Sequence, residues 1–281
     1  MRGLASIAAI VAAAVLIGAS GGAAAPQAAR AGVFTGYGFE ACTAPSLTAL
    51  KAWNASPYRA VGIYLGGTNR ACADGNLSAA WVSSTLSLGW SLLPLYVGLQ
   101  APCVGQSGLK KISTNAMTAA GQGRAAADDA IARAANFGLP VGSPIYFDME
   151  GYNNADGGCV AAVRGFIDGW VLQLHQNGYV AGLYSSLCSG IVDQVAVFGT
   201  PGNYPLDAIW IAAWAFNDQN DPRYATYLPG LYGFTGCGAA LPDALWSYHQ
   251  RLRQFRGGHD ETYVGVTLNI DTNAVDGPTA G

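Results

Sequence analysis

Charge is what this sequence has least of. Only 11% of its 281 residues are Asp, Glu, Lys or Arg, against about a quarter in ordinary globular chains. The 14 basic and 17 acidic residues leave a formal charge of −3, and neither sign gathers into a block. That balance argues against nucleic acid and against an anionic membrane surface as a partner. Histidine is down to three, His175, His249 and His259, with no HxxxH pair, and the cysteines form no CxxC or Cys/His cluster. A zinc site and a metal-dependent deacetylase are disfavoured for lack of ligands, and no cofactor is expected. No G-x-S-x-G nucleophile elbow occurs. Residues 36–41 fit GxGxxA, but no acid follows from Ala41 to Ala73, where a ribose-binding carboxylate belongs. Internal repeats and Pro/Ser-rich linkers are also missing. Beyond residue 19 no apolar run is long enough to span a bilayer.

The one long apolar run lies at the start. Met1-Arg2 is followed by apolar residues 4–19 and then by small residues, with Ala23-Ala24-Ala25 and Ala29-Arg30-Ala31 as cleavage sites. The run is shorter than the ~20 residues of a membrane span, so a cleaved secretory leader over residues 1–31 is expected. Its single Arg does not make a twin-arginine signal. Residues 32–281 then form the mature domain, exported or associated with the cell envelope, with no stable membrane anchor. Six cysteines in an exported chain imply up to three disulfides. They are Cys42, Cys72, Cys103, Cys159, Cys188 and Cys237.

Periodicity predicts strand and helix in alternation. Strands are expected at 34–40, 60–65, 91–97, 144–150 and 180–184, with helices at 45–53, 77–88, 115–137, 160–174 and 190–198. Three further strands, at 208–214, 245–250 and 266–271, have only weak helical segments between them. Alternating βα units imply a parallel sheet, and eight of them suit a closed TIM-like barrel of the (β/α)5β3 kind. Sequential units are usually neighbours in space. That pairs Cys72 with Cys103 and Cys159 with Cys188, and leaves Cys42 for Cys237.

The strand ends carry the chemistry. In Tyr146-Phe147-Asp148-Met149-Glu150 the period of two puts Asp148 and Glu150 on one side. Glu40 and Asp271 end other strands, as do Tyr184, Trp214 and Gln250. Four acids on one rim are costly unless they are solvated, paired or used. Like charges so close raise one pKa, and Glu150 is expected to be the elevated group. Tyr64, Tyr96, Tyr184, Trp214 and Tyr248 offer stacking faces for a ring-shaped ligand. For Tyr64, Tyr96 and Tyr248 barrel packing is the commoner use of such a residue. His175 and His249 read as structural. Asp218, Asn220 and Asp221 form a polar loop with some resemblance to a calcium site.

Gly38-Phe39-Glu40-Ala41-Cys42, the Asp148/Glu150 strand, Gly182-Leu183-Tyr184-Ser185-Ser186, Trp210-Ile211-Ala212-Ala213-Trp214 and Asn269-Ile270-Asp271-Thr272-Asn273 occur in this order. Together they resemble an exported actinobacterial family of glycoside-hydrolase-like domains. That family is itself similar to the family 25 glycoside hydrolases, lysozymes on a (β/α)5β3 barrel. The resemblance implies a cell-envelope glycan as substrate or ligand. It implies Glu150 as general acid and Asp148 as nucleophile or stabiliser, with Asp271 and Glu40 positioning them. Glu40 departs from the Asp found there, and its extra methylene moves the carboxylate by about an ångström or more. A barrel of this ancestry that binds glycan without cleaving it is the alternative.

Overall fold

The computed structural model describes residues 31–214, 230–234 and 241–280. Apart from Ala31, the expected leader lies outside these residues, as do Cys237 and the Asp218, Asn220 and Asp221 loop. Eight strands close into a barrel in chain order: β1 (Ala31–Glu40), β2 (Tyr58–Gly66), β3 (Ser91–Tyr96), β4 (Pro144–Met149), β5 (Val180–Ser186), β6 (Ala208–Ala212), β7 (Arg251–Tyr263) and β8 (Val266–Ala280). The first five are each followed by helix: α1 (Leu47–Trp53), α2 (Ala79–Ser87), α3 (Ala116–Asn136), α4 (Gly157–Gln176) and α5 (Val192–Val195). A single π-helical turn, Leu187–Ile191, leads into the last of these. The first four helices start where a polar side chain accepts from an otherwise unpaired N–H: Ser46, Ser78, Asn115 and Asp156.

Period-two alternation sorts every strand into two layers. One face fills the barrel with Ala60, Leu93, Leu95, Tyr146, Ala208, Trp210, Leu252 and Val275. The other meets the helices. Phe147, for instance, lies 4.8 Å from Phe166 and 5.1 Å from Trp170, ring centre to ring centre. Gly123, a weak helix former inside α3, has a packing reason. A Cβ there would lie 2.0 Å from the Phe166 carbonyl of α4, so its absence lets the two helices touch backbone to backbone.

The sixth strand lies where it is expected, but the last two depart from expectation. Residues 245–250 form a turn, with His249 at a φ of 53°, and β7 begins only at Arg251. Its residues 251–263 are polar and charged enough to hide a strand pattern. Arg251 itself is fully buried, and its guanidinium donates to the carbonyls of Leu231, Pro242 and Leu245. The eighth strand does not stop at Asp271 but runs on to Ala280, antiparallel to both β1 and β7. Register shifts between Gln254 and His259 bend the β7–β8 hairpin. Its far end packs on the first βα unit: Trp53 Nε1 donates to the Val266 carbonyl at 3.0 Å, and Tyr263 lies 5.0 Å from Trp53. The hairpin thus covers apolar surface beside α1.

The disulfides join Cys42 to Cys72 and Cys103 to Cys159, not Cys72 to Cys103 or Cys159 to Cys188. Neighbouring loops are indeed linked, but the pairing is shifted by one βα unit. The loops after β1 and β2 are joined, and the loop after β3 is tied to the first turn of α4. Cys188 is disulfide-bonded as well. Cys103–Cys159 spans 56 residues, so replacing both cysteines by Ser is expected to cost about 3–4 kcal/mol in urea denaturation. A loss under about 1 kcal/mol would mean that other contacts hold these loops in place.

Candidate active site

Asp148 ends the inward face of β4 and is buried, while Glu150 lies just beyond, exposed at the rim. Their spacing is held by a residue that the sequence did not single out. Gln100, fully buried, donates from Nε2 to the Asp148 carbonyl at 2.8 Å and accepts the Glu150 N–H on Oε1 at 2.7 Å. The side-chain amide thus acts as a one-residue strand, clamping the backbone on both sides of Met149.

Glu40 and Asp271 face each other across the β1–β8 ladder. The antiparallel course of β8 is what brings Asp271 to the rim. Gly62 lets the β2 backbone lie close to Glu40, since a Cβ there would lie 2.6 Å from Glu40 Cβ. Two further residues missed from sequence, Gln254 and Asn273, orient these acids. Gln254 Oε1 accepts from Tyr184 Oη at 2.9 Å and from Trp214 Nε1 at 2.7 Å. An indole N–H only donates, so the Nε2 end of Gln254 must face the acids. It donates to Glu40 Oε1 and, at 3.3 Å, to Asp271 Oδ2. Asn273 repeats the logic: Oδ1 accepts Trp210 Nε1 at 2.7 Å, and Nδ2 donates to Glu40 Oε2. Alternation along β7 and β8 was the available signal, but β7 was placed too early in the chain to show it.

Burial dominates the electrostatics. It holds Asp148 well above the ordinary carboxylate range, and the charges of Glu150 and Asp271 push the same way. Burial and then Asp271 raise Glu40 well above it too, against the pull of the Gln254 and Asn273 donors. Glu150 is raised by burial and by Asp271. Asp271 is raised by burial, while the Gly258 N–H and His259 restrain it. Glu150 is therefore elevated but not alone, and the deeper Asp148 and Glu40 are elevated more. Of these two, Asp148 is the better seat for a proton. Its Oδ1 is buried with no hydrogen-bond partner among the described residues, whereas both Glu40 oxygens accept N–H groups.

The aromatic candidates divide. The Tyr64 and Tyr184 hydroxyls sit in the field of the carboxyl cluster. Trp214 stands at the rim, 56% exposed. Its ring lies on Gly257, where a Cβ would come within 2.5 Å of Cζ2. Tyr96 points outward and donates to Asp129 on α3 at 2.8 Å, because it is on the helix-facing parity of β3. Tyr248 is 81% exposed in the turn before β7. Gln250 binds the Asp207 carbonyl at 2.6 Å at the opposite end of the barrel from the acids. These three do not belong to the site. His175 and His249 bind Asp207 and Asp276, at 2.8 Å and 2.6 Å. Beside the acids lies a cleft of about 220 Å³, with Tyr64, Asn69, Arg70, Gln100, Asp148 and Glu150 among its lining residues.

A family model described as "Rv2525c-like, glycoside hydrolase-like domain" matches residues 51–275. The chain belongs to this family. Among solved structures, the Rv2525c-like barrel is similar to an uncharacterized protein of B. stearothermophilus, with 17% identity, a TM-score of 0.52, and 85% of this chain and 95% of the other covered. It is likewise similar to the Tat-secreted Mycobacterium tuberculosis protein Rv2525c in complex with L-tartrate, with 16% identity, a TM-score of 0.52 and coverage of 86% and 96%. A third is the Clostridium perfringens spore cortex lytic enzyme SleM, with 16% identity, a TM-score of 0.51 and coverage of 86% and 67%. At these identities the likeness is one of fold. No curated protein matches the sequence.

Two measurements check this geometry. The folded protein binds more protons than the unfolded chain between the ordinary carboxylate range, about pH 4, and the raised values of the cluster. Stability must therefore fall as pH rises through that window. Asp148→Asn, which mimics the protonated form, should be more stable than wild type at pH 7, and the advantage should vanish below about pH 4. An Asp148→Asn protein that is less stable at pH 7 would show the carboxylate to be paired instead. Separately, Gly257→Ala should displace Trp214 at a cost of about 1–3 kcal/mol. The indole N–H resonance that responds to Gln254→Ala should then move; an unmoved signal would count against the contact.

Proposed function

We propose that this protein is an exported glycoside hydrolase acting on a cell-envelope glycan. The observation that carries the reading is the set of four carboxyls, two of them buried, at the C-terminal rim of a glycoside-hydrolase-like barrel, opening on a cleft. Glycosidic cleavage requires one protonated acid and one carboxylate beside the sugar, with pKa values separated by environment. Glu150, at the exposed edge, reaches a leaving oxygen and serves as general acid. Asp148 faces the positive charge that develops on the sugar ring, and that charge favours its ionised form. Glu40 and Asp271, tied through Gln254 and Asn273, hold the field around them. Trp214, Tyr184 and Tyr64 supply ring faces and hydroxyls. Disulfides and a surface low in charge support an exported setting.

The second reading is a glycan-binding barrel that does not cleave. It is favoured by Glu40, whose two oxygens are already occupied by amide donors. Reducing-end release from a panel of envelope glycans separates the two. Wild type should release ends, and Glu150→Gln should lose about 10²–10⁴-fold in rate with its fold intact. Equal release by both proteins would remove Glu150 from the mechanism. Binding without release would leave the non-catalytic barrel.

A further inference from the structure

One buried histidine takes no part in the chemistry proposed above. His259, on β7, has a side chain only 6% exposed. It follows a bulge at Gly257 and Gly258. Arg256 pairs with Thr272 and His259 with Ile270, so β7 uses one more residue than β8 over this step. The bulge is where the hairpin meets the site. The Gly258 N–H donates to the Asp271 carboxylate, and the Trp214 ring lies on Gly257.

His259 closes this bulge. Its Nδ1 lies 3.1 Å from the Gly257 carbonyl and its Nε2 2.9 Å from Glu261 Oε1. A carbonyl only accepts, so Nδ1 carries a hydrogen. Glu261 accepts as well. Tyr58 Oη donates to its Oε1 and Tyr263 Oη to its Oε2, each at 3.0 Å. Burial opposes the charge of Glu261, yet the hydrogen bonds from His259, Tyr58 and Tyr263 hold its carboxyl below the ordinary range. An ionised carboxylate has no hydrogen to give, so Nε2 donates too. A neutral imidazole has a single N–H. Only the imidazolium makes both contacts together.

We propose that His259 is a positioning residue for Asp271: donating from both ring nitrogens, it fixes the bulge that presents the Gly258 N–H and sets a positive charge beside the carboxyl cluster. The assignment rests on the reading of that cluster as an active site and adds a residue that sets Asp271 apart from its neighbours. Burial favours the protonated forms of Asp148 and Glu40, whereas at Asp271 the charge of His259 acts against burial. Carboxyls with separated proton affinities are what acid and base roles at one site require. The titratable groups around the ring among the described residues are Glu261 and Tyr263 on β7, Asp271 on β8 and Tyr58 on β2. If the ring loses a proton, one nitrogen turns a lone pair toward an acceptor. The bulge then loses a bond, and the Gly258 contact with Asp271 loosens.

The test uses the isotope-labelled protein in nuclear magnetic resonance. At about pH 7 both ring nitrogens of wild-type His259 should show the nitrogen shifts of an imidazolium. A ring with one bare nitrogen overturns the proposal. Carboxyl carbon signals then follow the Asp271 titration. His259→Gln should raise its midpoint by about 1 pH unit, a tenfold gain in proton affinity. Tyr263→Phe, which loosens the same network but keeps the ring charge, should leave the midpoint where wild type has it. An unmoved Asp271 in His259→Gln, or an equal shift in both variants, overturns the role. Thermal midpoints establish that the variants fold; where His259→Gln does not, the wild-type ring shifts decide. On a glycan that wild type cleaves, the acid limb of kcat/KM should move to higher pH in His259→Gln along with Asp271, and an unmoved limb also overturns the role. The two readings fail separately. Cleavage with an unmoved Asp271 would leave the hydrolase standing without this role for His259. An Asp271 that moves in a protein cleaving no glycan would leave His259 in place on a binding-only barrel.

Discussion

Four carboxyl groups crowded at one end of a barrel, Glu40 and Asp148 buried, Asp271 partly so and Glu150 at the edge, set the terms for the surrounding structure. Such a cluster opposes folding unless protons, donors or neighbouring charges offset the desolvation. The fold supplies the donors through two amides, Gln254 and Asn273, whose orientation is dictated by indole and phenol donors behind them. Trp210, Tyr184 and Trp214 thereby take part in the electrostatics without touching the acids. Removing Trp210 would free Asn273 to turn, and removing Tyr184 and Trp214 together would free Gln254, so that the carboxyls would lose their N–H groups.

The same requirement explains why the barrel is asymmetric. A parallel eighth strand of the expected length would have ended at Asp271. In the antiparallel arrangement β8 passes the rim, carries Asp271 and Asn273 on adjacent inward positions, and continues down the barrel beside β1. The bulged hairpin it forms with β7 also packs on Trp53, through Tyr263 and the Val266 carbonyl. Opposite it, Gln100 completes the frame by hydrogen bonding across β4. Hairpin, amide clamp and the Cys42–Cys72 and Cys103–Cys159 disulfides together hold the rim at nearly every point where a side chain must be placed.

Much of the first five βα units was legible, because local signals there are strong. Apolar runs bounded by Gly and Pro mark the strands, and polar residues at Ser46, Ser78 and Asn115 mark the starts of the first three helices. The acids Glu40, Asp148 and Glu150 were legible as carboxylates at strand ends, and Asp271 was singled out as the end of a strand that in fact runs on to Ala280. Gln100, Gln254 and Asn273 were not. An amide has no distinctive sequence context, and its importance comes from partners far along the chain. The true β7 was hidden because its inward residues include Gln254 and its flanks are arginines, which look like a surface loop until their carbonyl partners are seen.

Sequence alone determined the alternation of elements, the barrel class, the low surface charge and the identity of the four acids. These depend on composition and on periods of two and 3.6 residues, which are local. Tertiary structure decided the direction of β8, the pairing of the cysteines, the outward turn of Tyr96 and the remoteness of Tyr248 and Gln250. It also decided which carboxyl is most deeply buried. Each of these depends on which segments far apart in the chain become neighbours when the barrel closes, and a local pattern carries no record of that.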